Sequence, residues 1–305
     1  MRSQRDNLLQ LSQRRQSTLI ECGDSKGELA AAMMRLSCLS LSYQKQFRAG
    51  KMDLFSFIKT ARSMNLDGVD LHMNHLPRFD RAYLKQLRRA CLDNGMSVPS
   101  FPVSTEFARD ASKIPAELEK ARVAMEVGLY LGAPLIRVFV GSAPSPERTE
   151  EAFKYSAEAL RRCAEVGAEI GMVVALQNHS GLTSTGDDML RFHKEINHPN
   201  FSLVLDTGHF TGRGGPNGPK REGHTYDNYY HSLEQVAPLA LYVRTKLYEV
   251  EADGREKFID YNRVFNILRG VHYNGFCSMV FEGTEDEMTA IPRGARFLRT
   301  MVAAG

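Results

Sequence analysis

Along the chain, short apolar runs alternate with longer amphipathic segments. The runs at 36–43, 68–73, 96–103, 134–140, 172–179, 201–206, 240–247 and 276–282 are rich in Val, Ile, Leu or Phe and read as strands. The segments between them carry one apolar stripe at helical spacing. Leu54, Phe57, Ile58 and Ala61 fall at i, i+3, i+4 and i+7, as do Val264, Ile267, Leu268 and Val271. Leu84, Leu87 and Cys91 give a third stripe. Gly68, Gly95, Gly132, Gly171 and Gly275 stand at or just before strand starts, where the preceding helix needs a left-handed terminator. Strict alternation of strand and helix implies a parallel sheet. Eight such units over about 270 residues predict an α/β fold, a closed (β/α)8 TIM barrel, for which about 250 residues is typical. An open doubly wound sheet is the alternative, but no GxGxxG follows the first strand and no linker splits the chain.

Composition narrows the partners. The 305 residues are 43% hydrophobic and 25% charged, an ordinary soluble profile. A net charge of +3 is too small to argue for nucleic acid or an acidic membrane surface. No run of about 18 apolar residues predicts a membrane span. The cysteines (Cys22, Cys38, Cys91, Cys163 and Cys277) form no CxxC pair and are odd in number, so free thiols in a reducing compartment are expected.

The first 31 residues are polar, with Arg2, Arg5, Arg14 and Arg15 early on. Arg14-Arg15 raise the question of a twin-arginine export signal. Glu21, Asp24, Lys26 and Glu28 intervene before the apolar stretch from Leu29 to Met34, and no continuous apolar segment follows the arginines. The expected organisation is an N-terminal extension over 1–31 and a barrel over 32–305, in a cytoplasmic protein.

Candidate chemistry collects at the predicted strand ends. Side chains two apart on a strand share a face. Ala175, Gln177 and His179 align on strand five, Tyr242, Arg244 and Lys246 on strand seven, and Ser278, Val280 and Glu282 on strand eight. Asp206 ends strand six and opens the turn Asp206-Thr207-Gly208-His209; Asp70 and His72 end strand two, and strand four carries Arg137. Charges inside an apolar sheet are costly unless paired or placed at a wet site. Their joint appearance at successive carboxyl ends predicts a site at the barrel mouth. The plain alternative is a structural network in which Asp206 and Glu282 pair with Arg244 and Lys246. The loop 211–223, rich in Gly and Pro, reads either as a mobile flap or as an ordinary connection.

These strand ends resemble the xylose-isomerase-like barrel family of sugar isomerases, sugar epimerases, inosose dehydratases and apurinic endonucleases. The resemblance covers roughly residues 35–303. It rests on Leu205-Asp206-Thr207-Gly208-His209, Leu176-Gln177-Asn178-His179 and Phe281-Glu282-Gly283. It implies a divalent metal held by a strand-five Glu, a strand-six Asp, a strand-seven His and a strand-eight Glu, with the two Glu residues exchanging protons with substrate. Asp206 and Glu282 match two of these positions, and His209 matches a His three residues after the Asp. Gln177 stands at the strand-five position and Arg244 at the strand-seven position. An amide ligates weakly and takes no proton near neutral pH, and a guanidinium repels a cation.

The functional expectation is therefore a carbohydrate-acting isomerase, epimerase or related lyase with an altered metal site. Its acid/base candidates are Glu282, His209 and Lys246, the last if burial lowers its pKa. Arg137, His179, Arg244 and His72 would bind substrate. Mn, Mg or Zn would be held, if at all, by Asp206, Glu282, Gln177 and His209. The expected partner is a small-molecule carbohydrate, with no nucleic acid and no membrane; a homo-oligomer is left open. A non-catalytic sugar-binding subunit on a degenerate barrel is the competing reading. An apurinic endonuclease would need the missing strand-five Glu and strand-seven His together with a more basic surface.

Overall fold

The computed structural model describes residues 33–213 and 222–303. The extension expected over 1–31, with Cys22 and Arg14-Arg15, lies outside the described residues, as do positions 214–221 of the loop after strand six.

Eight parallel strands form the barrel: β1 (Arg35–Leu39), β2 (Gly68–Asp70), β3 (Phe101–Pro102), β4 (Leu135–Val138), β5 (Val173–Gln177), β6 (Phe201–Asp206), β7 (Ala240–Leu247) and β8 (Phe276–Phe281). Their order is β2-β1-β8-β7-β6-β5-β4-β3. The two ends of that order meet through one bridge, Gly68 with Ser97, so the barrel is nearly closed. The helices that return the chain outside it are α1 (Leu54–Ser63), α2 (Arg81–Asp93), α3 (Ile114–Leu131), α4 (Thr149–Ile170), α5 (Gly186–Ile196), α6 (Tyr226–Val236), α7 (Tyr261–Gly270) and α8 (Glu287–Ala303). The expected TIM barrel is the fold of the chain.

Local chemistry sets the element ends. Asp53, Asp80, Thr185 and Asp260 accept backbone N–H groups at the starts of α1, α2, α5 and α7, satisfying donors that have no partner within the helix. Gly132 and Gly171 close α3 and α4 in the left-handed conformation. The buried faces follow the predicted stripes. Leu54, Phe57, Ile58 and Ala61 are the buried residues of α1, while α7 buries Tyr261, Val264, Phe265 and Leu268 and leaves Ile267 and Val271 only half-buried.

Several expectations are corrected. The run 36–43 stops being a strand at Leu39 and turns into a 3-10 segment over Ser40–Tyr43. The run 96–103 yields only Phe101–Pro102 as regular strand, because Pro99 and Pro102 lack the N–H groups that a ladder requires. His179 and Glu282 lie just past their strands rather than within them. Gly68 and Gly275 are not left-handed terminators; Asn65 and His272 take that conformation instead. Gly68 is instead tightly packed, since a Cβ there would lie 3.0 Å from the Ser97 carbonyl oxygen at the barrel seam.

Alternate residues point into the lumen. Toward the amino ends of the strands these are apolar, with Leu135, Ala175, Val204, Tyr242 and Phe276 in one cluster. A larger apolar core fills the space between strands and helices. Cys38, Cys91, Cys163 and Cys277 are all buried and unbridged. Burial pushes the Cys38, Cys91 and Cys163 thiols up to about 12, as expected for inert packing thiols. Polar groups begin above the apolar cluster, toward the carboxyl ends.

Candidate active site

Two polar layers occupy the lumen. The lower one is built on Asp70 and Arg244, both without solvent exposure. Arg244 Nη1 donates to Asp70 Oδ2 at 2.7 Å and to Ser278 Oγ at 2.7 Å. The Tyr242 hydroxyl donates to Asp70 Oδ1 at 2.6 Å and meets Ser37 Oγ at 2.9 Å, and Ser278 also donates to Asp70. A buried ion pair of this kind fixes geometry more than it adds stability. Arg244, expected beside substrate or in place of a metal ligand, is thus committed to strands two and eight.

The upper layer lies at the mouth. Gly208 N donates to Asp206 Oδ1 at 2.7 Å, and Gln177 Nε2 donates to Oδ2 at 2.6 Å. Asn178 clamps the Asp206 backbone from both sides, accepting from its N–H at 2.6 Å and donating to its carbonyl at 2.9 Å. Lys246, only 1% exposed, extends along β7 past Gly208. An alanine Cβ at position 208 would lie 2.5 Å from Lys246 Cγ, so glycine is what lets this stem pass. The Lys246 ammonium reaches Glu282 Oε1 at 2.5 Å and stands 3.6 Å from Asp206 Oδ2. His209 Nε2 lies 3.7 Å from the same oxygen. The ring of His209 meets that of His179 at 4.0 Å, tilted by 36°, and His179 in turn meets Phe139 at 4.8 Å.

The electrostatics follow from this packing. Burial, then the charge of Lys246 and the neighbouring His179, hold His209 well below the usual imidazole range. Burial likewise lowers His179, with Lys246 and Arg137 adding to the effect and Asp206 opposing it. Both rings are therefore neutral near pH 7. Burial works against the Glu282 carboxylate, but Lys246 and His209 outweigh it and leave its pKa below the ordinary value. Its side chain is still 46% exposed, so it faces arriving substrate.

Sequence reasoning brought Asp206, His209, Glu282, Gln177, His179 and Lys246 together, and the structure does the same. His72 is more withdrawn. Its Nδ1 accepts from Asn74 N at 3.1 Å, which places the ring proton on Nε2, 3.3 Å from Ser104 Oγ. Asn178, Gly208 and Asp70 carry the scaffold and had been given no role in the site; the signal for Asn178 and Gly208 was only adjacency to Gln177 and Asp206.

The donors do not fit a divalent metal. Among the described residues no group of three or more His, Cys, Asp or Glu side chains is placed to hold one. Gln177 presents its N–H, not its oxygen, to Asp206. The Lys246 ammonium stands against both carboxylates that would be ligands, and an ammonium repels a second cation there.

The chain belongs to the xylose isomerase-like TIM barrel family, whose pattern matches residues 58–301. Among solved structures it is similar to a D-psicose 3-epimerase with D-tagatose from Clostridium cellulolyticum H10, with a TM-score of 0.71 and 15% identity over 88% of this chain and 99% of that one. It is also similar to a 3-keto-D-glucoside 4-epimerase from E. coli, with a TM-score of 0.68 and 18% identity over 88% of this chain and 99% of that one. At such identities the likeness is one of fold. No curated protein matches the chain. No helix among the described residues is long and apolar enough to cross a membrane.

Proposed function

We propose that the protein acts on a carbohydrate or sugar-derived ketone, moving a proton at the carbon beside the carbonyl, with Lys246 supplying the positive charge that a divalent ion would otherwise bring. The observation that carries this reading is the Lys246 ammonium set between Glu282 and Asp206, beside neutral His209. Removing a proton next to a carbonyl leaves negative charge on its oxygen, and a preorganised cation in a water-poor site stabilises that charge.

In this mechanism Glu282 is the base and Lys246 the electrophile. Paired with Lys246, the Glu282 carboxylate binds a proton weakly. A substrate carbonyl that draws the ammonium away removes that influence, so Glu282 gains proton affinity as the Cα–H acidifies. Asp206 keeps the ammonium in reach during the transfer. His209, a neutral imidazole, donates to or accepts from a substrate hydroxyl. Gln177 cannot exchange protons. A single carboxylate base therefore suits transfer on one face, as in isomerisation or elimination, better than a two-carboxylate inversion. The similar epimerase structures support the substrate class through fold alone.

Deuterium exchange from solvent into a panel of ketoses and keto-inositols tests this. Exchange with the wild type and none with Glu282→Gln is the expected result. No exchange with any substrate would leave the reading of a sugar-binding protein on a degenerate barrel, which the missing strand-five carboxylate favours.

A further inference from the structure

Three cationic side chains point into the lumen, and they are treated unequally. Arg244 has Asp70 at 2.7 Å, and Lys246 has Glu282 at 2.5 Å. Arg137, 2% exposed, has no carboxylate within ion-pair distance among the described residues. Its one hydrogen bond there runs from Nη1 to the Val103 carbonyl at 3.1 Å, and its Nε has no partner. Its guanidinium carbon lies over the Phe139 ring, 4.0 Å from the centroid. Burial, and then the charge of Arg244, work strongly against its protonated form. An arginine nevertheless stays charged in a protein, so the cost is carried by the fold.

A second group nearby is also incomplete. Gln177 Oε1 is buried without a hydrogen-bond partner, its amide nitrogen being used on Asp206. Arg137 pairs in register with Ala175 on β5, and Gln177 stands two residues further along the same face. An orphaned planar cation and an orphaned acceptor therefore lie on neighbouring strands, the acceptor on the amide that bonds Asp206 at the mouth. Both needs are met by one molecule that carries an anionic fork and an adjacent hydroxyl.

We propose that the substrate is a sugar acid, a hydroxylated ketone whose carboxylate is taken by Arg137 and whose neighbouring hydroxyl donates to Gln177 Oε1. The inference rests on the proton-transfer reading for the ketone, but not for the acid. Arginine's planar fork matches a carboxylate in two parallel hydrogen bonds, a match a lysine would not provide. Arg244 also has unpartnered nitrogens, Nε and Nη2, but its charge is already met by Asp70. Arg137 alone of the two guanidiniums therefore lacks a counter-charge, and a planar monoanion supplies it where a phosphate dianion would call for more. Charge compensation at Arg137 would then arrive with the ligand, so the empty site is the strained state and the filled one is relaxed.

Calorimetric titration of the full chain with D-fructose, 5-keto-D-gluconate and D-fructose 6-phosphate tests this. The expected result is at least about tenfold tighter binding of the keto acid than of the neutral ketose, and loss of that preference in Arg137→Met. Arg137→Lys, which keeps charge without the fork, is expected to restore only part of it and guards against a folding defect, as does a circular dichroism melt of each variant. Equal affinity for acid and neutral sugar, or a preference that survives Arg137→Met, overturns the assignment. A preference for the phosphorylated ketose that Arg137→Met removes would assign the site to phosphate and overturn the carboxylate. The wild type separates the two readings: acid preference without deuterium exchange leaves this inference standing and removes the proton transfer, while exchange without acid preference does the reverse.

Discussion

Arg244 and Asp70 form an ion pair of 2.7 Å across the lumen, from β7 to β2, with neither side chain reaching solvent. Tyr242, Ser278 and Ser37 complete the shell. The pair holds the floor beneath the mouth, so a change at Arg244 is felt first as a loss of stability.

Arg244→Met leaves Asp70 charged and buried without its partner. Breaking a buried pair from one side costs about 3–5 kcal/mol. Urea denaturation is expected to show a loss of that order, with far-UV circular dichroism unchanged before the transition. For the same reason Gln177→Glu combined with Arg244→His is not expected to create a Mn²⁺ site, since an imidazole at 244 would meet Asp70 rather than Asp206. Calorimetric uptake of Mn²⁺ by that double variant would show that position 244 faces the mouth after all.

Lys246→Met should lower the rate of deuterium exchange by about a hundredfold or more, the scale for losing a preorganised charge at a developing oxyanion. Exchange by the wild type should be unchanged after dialysis against EDTA. Inactivation by EDTA, reversed by a divalent ion, would remove Lys246 from the electrophile's role.

Gly208→Ala tests the passage of the lysine stem. The added methyl would crowd Lys246 Cγ and displace its ammonium. The variant is expected to fold, because position 208 lies in a loop at the mouth, but to lose most of its kcat with a smaller change in KM. Full activity would mean that the stem has another route.

Acid should destabilise the fold before it protonates most carboxylates. Burial lowers His72, His75, His179 and His209, and takes His75 down to about 4. The unfolded chain then binds protons more readily than the folded one, so stability is complete above about pH 6.5 and declines as pH falls from there. Loss of the lowered Glu282 carboxylate's pairing adds to the decline at lower pH. Unfolding free energies from urea denaturation should be lower at pH 5 than at pH 7 by at least about 1 kcal/mol. A flat profile between them would mean the imidazoles are hydrated.

The alternation of strand and helix, and the parity that gathers Asp206, Glu282, Gln177 and His179, were legible because both follow from local periodicity. The split between Arg244 and Lys246 was not. They share a face of one strand, and parity cannot tell which of two such residues sits at the floor and which at the mouth; that depends on the stagger between strands and on Asp70, which lies far away in sequence. Gly275 was misread because spacing alone does not distinguish a glycine kept for its backbone from one kept for space. A Cβ at 275 would lie 2.4 Å from the Tyr273 hydroxyl, a contact made only once the chain has turned.

Seven ladders join the strands, but β2 and β3 share none; the gap between them is crossed by the bridge of Gly68 with Ser97, a residue ahead of β3, with hydrogen bonds from Val69 N to Ser97 O and from Ser97 N to Asp67 O. The barrel is a cask with one stave lightly fastened. Asp70 and His72 stand on that stave, one reaching to β7 and β8 and the other to Ser104 past β3. Opening of this seam would loosen floor and wall of the site together, and the expected result is that the amides of Val69 and Ser97 take up deuterium ahead of the ladders on either side.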